Sequence, residues 1–204
     1  MLTAEEFTDQ KFDLPEGGRW HELVAGELQQ FDPPEVVHGN IVLNLSKALA
    51  EHLSPDSTAY ACFELGLVVC RDPDTVRCPP VSLFVEGEAF AEMDKQVTET
   101  RPGLVIEIAA SNARRAGMAD RIGEFHGWGV ELVWVIDPQD RCVHVAPRGR
   151  DRQVIAADET LRSHSLLPGF GVRVDDLFAD PDWWPGGNGR SKANGDTSES
   201  QSQS

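Results

Sequence analysis

The stretch Leu104-Val-Ile-Glu-Ile-Ala109 constrains the fold more than any other in the chain. It is apolar on both faces of an extended backbone apart from one carboxylate, which is the pattern of a central strand covered on both sides. Ser111 or Asn112 can cap a following helix, with Met118, Ile122 and Phe125 as its apolar stripe and Gly127 and Gly129 at its end. Residues 131–136 then read as a second buried strand. Strand, helix and strand in that order predict a parallel crossover unit.

The segments before this unit carry hairpin signals. Thr3 and Glu6 have capping-box spacing ahead of Phe7, which predicts a short opening helix. Residues 20–24 and 27–31 flank Ala25-Gly26, a hairpin turn between two antiparallel strands. Pro33-Pro34 ends the second strand, and Val37, Ile41, Leu45, Leu49 and Leu53 recur at near-helical spacing until Ser54-Pro55-Asp56. Residues 60–63, 66–70 and 81–85 are strand candidates, with 71–74 as a loop. Residues 142–146 and 153–156 suggest a late hairpin, and 172–177 close the domain. These signals predict one mixed α/β (α+β) domain over residues 1–184, built on a mixed sheet. From Pro185 to Ser204, Gly, Asn, Ser and Gln dominate, so a disordered polar tail is expected.

Composition narrows the function classes. A length of 204 residues suits one domain, and 40% apolar residues permit a sizeable core. No apolar run approaches the roughly 20 residues that span a bilayer, and no charged leader precedes one, so a cytoplasmic protein without membrane contact is expected. Cys62, Cys70, Cys78 and Cys142 form no C-x-x-C pair and are expected to be buried free thiols. The formal charge of −16 opposes non-specific binding to nucleic acid, which is driven by counterion release to Lys and Arg. Contact with DNA therefore requires a local basic patch.

Glu107 is the leading candidate for chemistry. A carboxylate within Val105-Ile106-Glu107-Ile108 must be paired, metal-bound or protonated to avoid a large desolvation cost. Arg114 and Arg121 lie seven residues apart, close to two helical turns, on a face shared with Met118 and Phe125. Either arginine can pair with Glu107 in a purely structural role, or stabilise negative charge on a phosphate.

At this point the sequence resembles the Uma family of putative restriction endonucleases, within the PD-(D/E)XK nuclease superfamily. The resemblance rests on an ordered set: the opening Thr-Ala-Glu-Glu-Phe7, Trp20-His-Glu-Leu-Val-Ala-Gly-Glu27, Pro-Pro-Glu-Val-Val-His38, Leu104-Val-Ile-Glu107, Trp134-Val-Ile-Asp-Pro138 and Leu166-Leu-Pro-Gly-Phe170. It implies a restriction-endonuclease-like mixed sheet flanked by helices. It further implies an Asp and a Glu on adjacent strands holding Mg2+ or Mn2+, with a basic residue assisting hydrolysis of a DNA phosphodiester. Position by position, the resemblance assigns Glu107 to the metal, Glu22 and His38 to support of the catalytic site, and Arg121 to the substrate phosphate, where Arg114, on the same expected helix face, could join it. A homodimer is expected only by analogy with nucleases that cut two strands.

Two departures bear on activity. The family's metal-binding Asp falls where this chain reads Arg77-Cys78-Pro79-Pro80-Val81, so Pro80 stands in its place. The active-site Lys is also missing: Ala109 occupies one of its two known positions and Arg121 the other. Arginine keeps the charge but cannot serve as a base. Asp72, Asp74 and Glu86 are the nearby carboxylates that could compensate, although Glu86 lies roughly 20 Å further along the strand. Reduced or lost cleavage follows, with a catalytically inactive binding or regulatory module as the alternative, and an unrelated structural domain with a Glu107–Arg pair as a third reading. His126, His144 and His164 lack ligand spacing; Ser111, Ser163 and Ser165 lack a nucleophile-elbow motif; Trp183-Trp184 suits the domain edge.

Overall fold

A computed structural model of the protein describes residues 1–18, 20–31, 36–53, 57–163, 166–181 and 183. The expectations placed on Pro33-Pro34, Ser54-Pro55-Asp56, His164, Ser165, Trp184 and the polar tail lie outside these residues. The observed architecture is mixed α+β, built on one six-stranded and one five-stranded sheet with a two-stranded ribbon beside them.

The strand read first from the sequence, β8 (Leu104–Ile108), lies in the interior of the six-stranded sheet. Its neighbours are β9 (Leu132–Asp137), parallel to it, and β6 (Val81–Phe84), antiparallel. Beyond β9 come β10 (Cys142–Pro147) and β11 (Gln153–Ile155), and beyond β6 comes β3 (Tyr60–Phe63) at the opposite edge. Every residue of β8 is buried because each face has its own cover. Leu104, Ile106 and Ile108 pack with Ile41, Leu45 and Leu49 of helix α2 (Val36–His52). Val105 and Ala109 pack with Met118, Ile122 and Phe125 of helix α4 (Met118–Trp128). Burial of each such side chain stabilises the fold by about 1.5–3 kcal/mol, and truncating Ile106 to Ala would cost about 2–5 kcal/mol because the cavity it leaves cannot fully collapse. Alternation along the strand assigns Glu107, by parity with Val105, to the α4 face.

The five-stranded sheet has the order β2 (Glu27–Gln30), β1 (His21–Val24), β5 (Thr75–Arg77), β4 (Gly66–Cys70), β7 (Val97–Thr98). The β1–β2 hairpin turns through Ala25-Gly26, both with positive φ. Helix α1 (Ala4–Gln10) opens with the expected capping box, in which Thr3 Oγ1 accepts from the Glu6 amide and Glu6 accepts from the Thr3 amide. Strands β12 (Thr160–Ser163) and β13 (Leu167–Arg173) form the ribbon, followed by the short helix α5 (Val174–Leu177).

Four expectations need correction. The anticipated sheet is divided in two, because the β1–β2 hairpin pairs with β5, a three-residue strand whose only apolar residue is Val76 and which therefore carried little strand signal. The helix after β8 breaks at Gly117 into α3 (Asn112–Ala116) and α4, so Arg114 and Arg121 sit on separate helices. Gly127 lies within α4. Gly129, at φ 112°, ends it, its amide donating to the Phe125 and His126 carbonyls. All four cysteines are free, but Cys70, the last residue of β4, is exposed. Among the described residues no helix is long and apolar enough to cross a membrane.

Candidate functional site

Where α4 packs across β8 and the β1 strand of the neighbouring sheet, four charged side chains meet in the interior. Glu22 comes from β1, Arg77 from the end of β5, Glu107 from β8 and Arg121 from the first turn of α4. Their exposures are 1%, 7%, 0% and 5%. Arg121 bridges the two carboxylates. Its Nε and Nη2 donate to Oε1 of Glu107 at 3.0 and 2.5 Å, while Nη1 and Nη2 donate to Oε2 and Oε1 of Glu22 at 2.6 and 2.9 Å. Glu22 also accepts from Arg77 Nη1 and from the Cys78 amide, each at 3.0 Å. Arg77 then closes a bidentate pair with Glu124, one turn beyond Arg121 on α4, at 2.7 and 2.8 Å.

The electrostatics follow from this geometry. Burial alone would raise the pKa of Glu22, but Arg121, with Arg114 and Arg77 behind it, overrides that and holds the carboxyl down at about 2. Burial opposes the charge of Arg121 as well, yet Glu107 and Glu22 keep its pKa above the ordinary arginine value. Arg77 is shifted in the same direction, with desolvation outweighed by Glu124 and Glu22. Cys78 is pushed up by its burial, so the thiol at this site is held in its unreactive form.

The other site residues named from the sequence lie around this cluster. Arg114 stacks over the Phe31 ring at 4.3 Å, and its Nη1 is 3.9 Å from Oε2 of Glu107. That oxygen is buried and accepts no hydrogen bond among the described residues. His38, edge-on to Trp20, is pushed down to about 4 by burial and by Arg114, so it is neutral at physiological pH. The remaining residues do not gather here. His126 contacts the Val130 carbonyl, His144 pairs with Cys142, and Ser111 caps α3.

Pro80 is buried directly before β6. The antiparallel register pairs Val81 with Ile106, so one step further along the two strands sets Pro80 opposite Glu107. A cavity of about 370 Å³ opens beside Pro80, lined by Gly39, Val42, Leu43 and Phe63 among others, and is predominantly apolar. Asp74, one candidate replacement, accepts from the Ala4 amide and from Arg71, which commits it to the start of α1. Among the described residues no group of three His, Cys, Asp or Glu side chains could hold a metal ion. The donor set therefore does not fit a divalent cation: a guanidinium fills the space between Glu22 and Glu107, and proline contributes no ligand atom.

Reading the sequence missed Arg77 and Glu124. Glu124 stands at i+3 from Arg121 and so shares its face, a signal that spacing alone could have yielded. Arg77 lay in a strand too short to be recognised.

The comparisons with known proteins agree with this architecture. The family model for Uma2, described as putative restriction endonuclease, matches residues 4–175. The crystal structure of a putative nuclease belonging to DUF820 from Anabaena variabilis ATCC 29413 superposes with a TM-score of 0.69 at 22% identity, covering 87% of this chain and 98% of that one. At that identity the likeness establishes a shared fold. No curated protein matches the chain. With the match extending from the opening helix α1 to the start of α5, the chain belongs to the Uma2 family of putative restriction endonucleases.

Proposed function

We propose that this protein is a restriction-endonuclease-type member of its family whose cleavage centre has become a metal-free ion-pair cluster, and that it acts as a non-cleaving binding or regulatory module. The observation that carries this reading is the placement of Arg121 between Glu22 and Glu107, with Pro80 in register opposite Glu107. A guanidinium cannot be deprotonated and cannot activate water, whereas its four hydrogen bonds engage both carboxylates without a cation from solution. Arg77, Arg114 and Arg121 all face carboxylates, so the positive charge expected to meet a DNA phosphate is already neutralised within the protein.

One observation favours slow metal-dependent cleavage of DNA instead: Oε2 of Glu107 accepts no hydrogen bond among the described residues. Nicking of supercoiled plasmid in Mg2+ or Mn2+ separates the two readings. The non-cleaving module gives the same background for wild type and Glu107→Ala. Cleavage by the wild type that disappears in Glu107→Ala refutes it.

A further inference from the structure

The six-stranded sheet ends at β3, and among the described residues no strand or loop backbone pairs with its outer edge. An unpaired edge is a template for another strand unless it is covered or charged. Here it lies in a cleft of about 580 Å³, within the range of ligand sites, with Ala61 to Leu65 along one side. Phe63, Phe12 and Met93 meet at this cleft from three separate parts of the chain, and they are 46%, 66% and 57% exposed. Three large apolar side chains around one unpaired strand edge mark an interaction surface rather than isolated exposed residues.

We propose that this edge is a docking groove for an extended basic peptide, which adds to β3 as a further strand and places alternate apolar side chains against Phe63, Phe12 and Met93. The charge of the walls selects the partner. Glu16, Glu64 and Glu92 line the groove against two ammonium groups, Lys11 and Lys95. Lys95 Nζ donates to Glu92 Oε1 at 2.9 Å, Lys11 contacts Cys78 Sγ and sits over the Phe7 ring, and Glu16 accepts from Trp20 Nε1 at 2.6 Å, so the lining carries one formal negative charge in excess. Glu92 is only 3% exposed, and its Oε2, near Thr98, accepts no hydrogen bond of ordinary geometry. In a chain of net charge −16 such a groove repels a phosphate backbone and attracts a cationic strand. A second copy of this chain fits less well. A two-fold interface requires a self-complementary patch, whereas a walled groove brings wall against wall and acid against acid. Strand addition supplies main-chain hydrogen bonds for affinity and side-chain pockets for selectivity.

The test is selection of a random peptide library displayed on phage against the immobilised full chain, followed by fluorescence anisotropy with the enriched peptides. The expected peptides alternate apolar with Lys or Arg residues. Their affinity falls at least about tenfold in Phe63→Ser and in Met93→Ser, the loss of an interface anchor, but is unchanged in Leu28→Ser on the exposed strand β2. Thermal melts of the three variants confirm that each is folded. Four outcomes overturn the proposal: no enrichment, enrichment of acidic peptides, peptides indifferent to Phe63→Ser, or sedimentation that shows a dimer dissociated by that substitution. Binding of a short single-stranded oligonucleotide that weakens in the same variants would reassign the groove to nucleic acid and likewise sink it. The groove does not depend on the state of the Glu22–Glu107–Arg121 cluster, so the plasmid and peptide assays fail separately.

Discussion

Arg121→Met isolates the interaction on which the candidate site turns. Methionine keeps an unbranched apolar stem while removing the guanidinium and all four of its hydrogen bonds to Glu107 and Glu22. The consequences for the two carboxylates differ. Glu22 retains Arg77 and the Cys78 amide, whereas Glu107 is left fully buried with, among the described residues, only Arg114 at 3.9 Å. Removing one partner of a buried ion pair strands a charge in the interior and typically costs about 3–5 kcal/mol. For a domain of this size each kcal/mol lowers Tm by about 2–4 °C, so a drop of roughly 6–20 °C is expected. Urea unfolding followed by tryptophan fluorescence reads the change, since Trp134 is fully buried against Phe170 and reports the core directly. The double variant Glu107→Gln/Arg121→Met removes the stranded charge and should be more stable than Arg121→Met alone, a coupling that independent sites would not show. A loss below about 1 kcal/mol in the single variant, or strict additivity in the double, would mean that Arg121 does not hold this cluster together.

Further outcomes follow from the same geometry. Glu22 is shifted from 4.5 to about 2, so its stabilisation, about 3 kcal/mol, is complete above the unfolded value and is lost as pH falls through the folded one. The stability gap between wild type and Glu22→Gln should accordingly close between pH 4.5 and about 2, and a gap that stays constant across that window contradicts the assignment. Pro80→Asp combined with Arg121→Lys restores a carboxylate opposite Glu107 and shortens the bridging cation; calorimetry should then detect Mn2+ binding at least about tenfold tighter than in wild type. Gly129→Ala should cost on the order of 1–2 kcal/mol in urea titrations, because φ is 112° and a Cβ there would lie 2.6 Å from Arg101 Nη1. EDTA should leave the melting temperature of the wild type unchanged, whereas a drop on chelation would reveal a metal that supports the fold.

Much of the fold was legible because β8 and α4 obey simple periodicities. Leu104, Ile106 and Ile108 alternate toward α2 while Val105 and Ala109 face α4, and the sequence carries that alternation openly. The capping box at Thr3 and the Ala25-Gly26 turn are local devices, decided by residues three or four apart. What escaped was non-local. Strand β5 offers Thr75, Val76 and Arg77, a pattern that becomes a strand only because β1 and β4 flank it. The break at Gly117 was equally hidden, since one glycine in a helical pattern is ordinarily tolerated. The same limit applies to the site. Glu107 stood out as a lone carboxylate in an apolar run, whereas Arg77 lies 30 positions before it in the sequence and reaches the cluster only through the pairing of β5 with β1.

The two departures from the family pattern have one electrostatic explanation. Glu22, Glu107 and Glu124 face Arg77, Arg114 and Arg121, three carboxylates against three guanidinium groups, so the cluster is neutral as it stands. A divalent cation added to it would be surrounded by fixed positive charge, and the carboxylate that could have offset that charge is missing at Pro80. Placing an acid at position 80 while Arg121 stays in place would instead add a buried negative charge in a region where, among the described residues, Glu107 has only Arg121 and Arg114 for partners. If the cluster is a converted metal centre, as proposed, each replacement is costly alone and tolerable with the other: a proline at position 80 removes a charge that would need a metal, and Arg121 supplies a permanent cation to Glu22 and Glu107. On this reasoning Pro80→Asp alone is destabilising, and it becomes tolerable when Arg121→Lys and Mn2+ accompany it. That dependence is what a converted metal centre requires and what an unrelated structural ion pair would lack.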